Sequence, residues 1–259
     1  MHEPSNVRTE LSPEGVLVVT LDRPEKKNAF TYGMYAACVA ALARAAEDNQ
    51  VRVVLFRGEG PSFTAGNDLS EFMQNPPKDE NNPIFEFLFG LVDADKPIVA
   101  EVRGDAVGIG TTLLLHCDLV VAHPQSRFHM PFINLGLVPE GGSTLLLPRT
   151  AGMALASELL LLGEPFDASK AIAAGLVNLV VDEVEAVARA RAEALAERPL
   201  ESLMQSKRLL RGPLREALKE TIRNEGRIFA QRLTSPEAME AFTAFFERRK
   251  PDFRRISSN

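Results

Sequence analysis

One acid and two glycine-rich turns carry the chemistry open to this sequence. Pro139-Glu140-Gly141-Gly142 places a carboxylate on a loop tight enough to need two glycines, and an acid held there is a candidate base. Phe63-Thr64-Ala65-Gly66-Asn67-Asp68-Leu69 reads as a strand exit feeding a helix start. Ile98 to Val102, followed by Gly104, Gly108 and Gly110, reads as a strand, a turn and a helix beginning near Thr111 or Thr112. Each geometry leaves backbone N–H groups unpaired at a helix N-terminus. Facing each other, two such turns could hold one developing oxyanion.

Each feature also has a plainer explanation. Gly104, Gly108 and Gly110 match neither the dinucleotide spacing G-x-G-x-x-G nor a phosphate-binding P-loop, so they could simply form a tight turn. Asp68 could be a carboxylate favoured by a helix dipole, Glu140 a solvated loop acid, and Lys26 and Lys27 exposed charges unless an anion binds there. The four histidines lack metal-ligand spacing, and His116, in an apolar helix, reads as a hydrogen-bonded core residue. Ser143 follows two glycines, but G-x-S-x-G is absent, which argues against a serine nucleophile.

The elements that must position these residues alternate. Val16 to Leu21 and Val51 to Phe56 read as buried strands flanking a helix capped by Thr31, whose Met34, Cys38, Ala41, Leu42 and Ala45 recur at helical spacing. Gln74 to Pro83 has the composition of a mobile surface loop, and Ile84 to Val92 resumes as an apolar helix. Strand and helix alternate to Val181, an α/β layer pattern; from Val184 onward the pattern is wholly helical. The compositional boundary falls near Leu195 to Pro199, dividing an α/β core (1–195) from a helical end (196–259). That end clusters Phe242, Phe245 and Phe246, a face that must pack on the core or on a neighbouring subunit.

At 259 residues, 45% apolar and 25% charged, the chain can bury a core without disulfides or metal. A net charge of -6 and a pI near 5.4 argue against a nucleic-acid surface. Cys38 and Cys117 show no ligand or redox spacing. The polar start, Met1 to Glu10, has no signal-like core, and no uninterrupted apolar run reaches membrane-spanning length. The expectation is a soluble, cytoplasmic protein without membrane contact.

The ordered set of short motifs resembles the crotonase superfamily, the enoyl-CoA hydratase/isomerase family. Its members here are Arg23-Pro24, Asn28-Ala29, Phe63 to Leu69, Lys96 to Ala100, Gly104 and Gly108-Ile109-Gly110. Cys117-Asp118, Phe128, Leu135-Gly136-Leu137, Pro139 to Gly142, Leu147-Pro148-Arg149 and Ala174 to Val177 continue the series over nearly the whole chain. The resemblance implies an α/β fold, a crotonase-like spiral of ββα turns with a helical C-terminal trimerisation region, hence a homotrimer or hexamer. It also implies an acyl-CoA thioester as substrate, with coenzyme A as part of the substrate and no separate cofactor or metal. By the same resemblance the oxyanion donors are the backbone N–H groups of Asn67 and Ile109, and Lys26, Lys27, Ala29, Ala65, Asp68 and Leu69 fall where coenzyme A is contacted. Thr112 and Phe132 are also expected to contact the substrate; they align with the two glutamates by which hydratases position water, and neither is a base. Glu140 aligns with the catalytic acid of the peroxisomal type of 3-enoyl-CoA to 2-enoyl-CoA isomerase, with an apolar wall containing Phe132 expected to raise its pKa. The implied activity is an enoyl-CoA isomerase; a hydratase or other crotonase-type reaction is the alternative, and a non-catalytic CoA-thioester-binding protein the alternative of another class.

Overall fold

The structure, a computed structural model, describes residues 6–74 and 80–256. Half of the stretch read as a mobile loop, residues 75–79, lies outside the described residues.

The strands are β1 (Val7–Leu11), β2 (Val16–Leu21), β3 (Val53–Gly58), β4 (Ile98–Val102), β5 (Asp105–Val107), β6 (Leu119–Ala122), β7 (Arg127–His129), β8 (Phe166–Asp167) and β9 (Leu179–Val180). The helices are α1 (Tyr32–Glu47), α2 (Leu69–Gln74), α3 (Pro83–Asp93), α4 (Ile109–Thr112), α5 (Ser143–Leu162), α6 (Ala168–Ala173), α7 (Val184–Ala196), α8 (Leu200–Arg211), α9 (Arg215–Leu233) and α10 (Pro236–Phe246).

One sheet runs β1-β2-β3-β4-β6-β9 and a smaller one β5-β7-β8. The chain turns a corner at Gly104 from β4 into β5, and again between β6 and β7, so successive turns add one strand to each sheet. Their parallel registers, Leu55 on Val99 and Ala106 on Phe128, stack the turns into a spiral. The crotonase-like α/β spiral expected from the sequence is therefore the fold observed. The strand β1 was not apparent in the sequence, because only its ends, Val7 and Leu11, are even partly covered at the sheet edge.

The two faces of the large sheet are covered differently. Thr31 caps α1 by accepting from the Met34 N–H at 3.2 Å, and α1 buries Met34, Tyr35, Cys38, Ala41, Leu42 and Ala45 toward the main core. Asn82 caps α3, its side-chain oxygen accepting from the Ile84 and Phe85 amides. On the opposite face α7 lays down Val184, Ala188, Ala192 and Ala196, one every four residues, against Val16, Val53, Leu55, Val99 and Val121.

The helical end folds back over the chain's own core. Lys207 and Arg211 of α8 donate to the Asp118 carboxylate at 2.7 and 3.1 Å. Leu218, Ile222, Phe229 and Leu233 of α9 and Phe242 of α10 join the main core. Of the three clustered phenylalanines, only Phe242 is buried; Phe245 and Phe246 are more than half exposed. By length and composition α5 could cross a membrane. It breaks at Gly152 (φ 75°, ψ 157°), and each half is too short to span ~30 Å of hydrocarbon.

Candidate active site

The two glycine-rich turns meet. Thr64 bridges Ala106 between the sheets, and a Cβ on Gly66 would lie 2.7 Å from the Val107 carbonyl oxygen. Phe30 donates to the Gly66 carbonyl at 2.7 Å and accepts from the Asp68 N–H at 2.9 Å. Asn67 sits between those two bonds, so its own N–H points away from Phe30. In the second turn Gly108 donates to the His129 carbonyl, and its carbonyl accepts from Thr111 and Thr112. That leaves Ile109 at the first helical position with no acceptor behind it. Among the described residues neither the Asn67 nor the Ile109 N–H has a protein partner.

Glu140 is buried beside these turns, and its Oε1 accepts a hydrogen bond from Thr112 Oγ1 at 2.5 Å. Burial pushes its pKa up to about 8; the Thr112 hydrogen bond opposes the rise and the nearby Glu225 charge adds to it. A carboxyl so tuned can both take and return a proton near neutral pH.

The loop that carries Glu140 is held from three sides. Gly141 and Gly142 have φ of 70° and 73°, and a Cβ on Gly142 would sit 2.3 Å from Leu218. His116 Nε2 lies 2.7 Å from the Gly141 carbonyl oxygen. Burial drives the His116 pKa down to about 4, so the ring is neutral and can donate there, the core role expected from sequence. Glu225 accepts from the Gly142 and Thr144 amides and from the Thr144 hydroxyl. Tyr35 donates from Oη to Asn67 Oδ1 at 2.5 Å, fixing that side chain.

Two spaces adjoin the site. An inner cavity of about 40 Å³ reaches Glu140 and Asn67 between Phe72, Ile84, Phe85, Leu88, Ile222 and Phe229. An outer groove of about 720 Å³ passes Lys26, Ala29, Ala65, Asn67, Asp68, Leu69 and Phe132. The two share Asn67, Phe72 and Phe229.

The remaining sequence candidates take distinct places. Lys27 turns outward, its ammonium 3.1 Å from the Asp105 carboxylate, while Lys26 lines the groove. Asp68 holds the start of α2, accepting from the Ser70 and Glu71 amides, and accepts from Arg23 at 2.8 Å. Thr112 is fully buried and supports Glu140 instead of lining either space. Phe132 lines the outer groove, and side chains of α3 and α9 line the inner cavity that reaches Glu140. Ser143 is buried, with no hydrogen-bond partner for its hydroxyl among the described residues. No cluster of three or more His, Cys, Asp or Glu side chains suited to a metal occurs among the described residues.

Comparison with known proteins turns on one match: residues 12–255 fit the family model described as Enoyl-CoA hydratase/isomerase. The chain belongs to the enoyl-CoA hydratase/isomerase family. It is 35% identical over 247 residues to the Homo sapiens protein named Enoyl-CoA delta isomerase 2, covering 92% of this chain and 62% of that one. The chain thus spans less than two thirds of that relative's length. It is 34% identical to the 2,3-dehydroadipyl-CoA hydratase of Escherichia coli K12, over 92% of this chain and 95% of that protein. A solved enoyl-CoA hydratase/isomerase from Pseudoalteromonas atlantica T6c superposes with a TM-score of 0.90 at 42% identity, covering 96% and 99% of the two chains. Family membership and fold agree with the resemblance carried by the motifs. Relatives named for isomerisation and for hydration are about equally similar, so the reaction must be argued from the site.

The sequence pattern missed Tyr35, Glu225 and the inner-wall residues Phe85 and Gly226. Tyr35 had a usable signal: a hydroxyl on the buried face of an amphipathic helix needs a partner. Glu225 had none, since it reaches the loop from a helix more than 80 residues away.

Proposed function

We propose that this protein converts 3-enoyl-CoA thioesters to 2-enoyl-CoA by a one-carboxylate proton shuttle. The observation that carries the reading is that, among the described residues, Glu140 is the one carboxylate lining the inner cavity, beside the turn bearing the Asn67 N–H. The thioester would sit where groove and cavity meet, its oxygen accepting from the Asn67 and Ile109 amides. Glu140 takes a proton from C2, the negative charge spreads through the dienolate onto that oxygen, and Glu140 returns the proton at C4. Hydration would need a second group to place water, and the positions that by resemblance would carry such acids are Thr112 and Phe132, neither of them a base. The groove would take coenzyme A, with Lys26 toward its phosphates, and no separate cofactor is required.

Assembly as a homotrimer or hexamer in the cytoplasm belongs to the same proposal. Its support is the apolar surface exposed at Met153, Leu161, Leu162, Phe245 and Phe246.

A shielded single base makes the transfer partly intramolecular. A 3-enoyl-CoA deuterated at C2 is expected to carry part of its label to C4 of the product in ordinary water. Complete loss of the label to solvent at low conversion would contradict the proposal.

A further inference from the structure

We infer that the Phe85 ring, seated on Gly226, closes the acyl end of the inner cavity and restricts this site to short-chain enoyl-CoA thioesters. The inference rests on the isomerase reading of the site and specifies its substrate. A Cβ built on Gly226 would lie 2.2 Å from Phe85 Cζ, so the ring packs on the bare backbone of α9 where any larger residue would displace it. Phe72 and Phe229 meet edge to face at 6.3 Å on the wall, and Ile84 and Leu88 add branched side chains from α3.

The space left beside Glu140 is about 40 Å³. One water-sized sphere needs roughly 10–15 Å³, so the cavity admits only a few heavy atoms beyond the reacting carbons. The other space at the junction, the groove of about 720 Å³, is the one into which the pantetheine and nucleotide must fit. An acyl tail that runs past Glu140 into the inner cavity therefore meets the Phe85 ring within a few carbons. Phe85 is mostly held by packing: it is 9% exposed and its ring lies 5.8 Å from that of Phe89.

The test is binding of saturated thioesters to the purified full chain, using butyryl-, hexanoyl-, decanoyl- and dodecanoyl-CoA by calorimetry. The native protein is expected to bind hexanoyl-CoA at least roughly tenfold more tightly than dodecanoyl-CoA, the scale on which apolar pockets discriminate by size. Phe85→Leu and Phe85→Ala are expected to reverse that preference by tightening the long thioesters relative to butyryl-CoA bound to the same variant; the leucine variant retains most of the packing if alanine destabilises the core. Equal or tighter native binding of dodecanoyl-CoA, or variants with an unchanged chain-length ratio, would overturn the inference and leave the isomerase reading standing. Absence of binding at every length would overturn both.

Discussion

Glu140→Gln is expected to slow isomerisation of a 3-enoyl-CoA by ~10² to 10⁴ while acyl-CoA binding persists, because the amide keeps the size and the Thr112 hydrogen bond but has no basicity. Steady-state rates beside a binding isotherm check this; a variant that isomerises normally sinks the role given to Glu140. In the native protein kcat/KM should rise with pH through about 8 as the free enzyme's Glu140 ionises. The same substitution has a stability consequence of definite sign. The folded pKa is raised from 4.5 to about 8, so between those values the native state keeps a proton that the unfolded chain has released. Stability contributed by this carboxyl is complete below pH 4.5 and is lost as pH rises through about 8. Glu140→Gln removes that loss, so its melting temperature should match the native protein's near pH 4.5 and exceed it above pH 8. Thermal unfolding across that range reads the difference directly.

Gly66→Ala is expected to lower kcat by ~10² to 10³ through the oxyanion hole, the size of effect seen when one such donor is lost. Gly66 has φ of 87°, and a Cβ there would press on the Val107 carbonyl at 2.7 Å. Relief requires the two turns to part, and the Asn67 and Ile109 amides then no longer converge on one oxygen. Glu140 and its loop are untouched, so the pH dependence should stay native while kcat falls. Comparing the pH–rate profile and the melting curve of the variant with those of the native protein separates this from unfolding. Unchanged kcat would mean that the pair of amides does not carry the charge.

The fold was legible where a periodic pattern met a clear stop. The cap at Thr31 with its helical stripe, and the run from Ile98 to Val102 ending at Gly104, gave elements the structure reproduces. The chemistry was legible where spacing is local: Pro139 to Gly142 and Phe63 to Leu69 each carry their turn in consecutive residues. What stayed hidden depends on distant packing. The inner cavity that reaches Glu140 is lined by α3 and α9, far apart in the chain, a pairing no local pattern announces, while Phe132, to which the sequence pointed, lines the outer groove. Lys26 and Lys27 are neighbours in sequence, yet a left-handed turn at Lys27 (φ 51°) sends one to the groove and the other to Asp105. Helix starts were displaced for a similar reason: α4 begins at Ile109 because Gly108 supplies the turn, and no apolar repeat marks that point.

The most direct measurement gives the native purified protein a 3-enoyl-CoA and a 2-enoyl-CoA of matched short chain in separate assays under the same conditions. The proposed proton shuttle, with Glu140 the one carboxylate among the described residues lining the inner cavity, predicts rapid conversion of the 3-enoyl to the 2-enoyl thioester and slow hydration of the 2-enoyl thioester. Hydration far faster than isomerisation would contradict it.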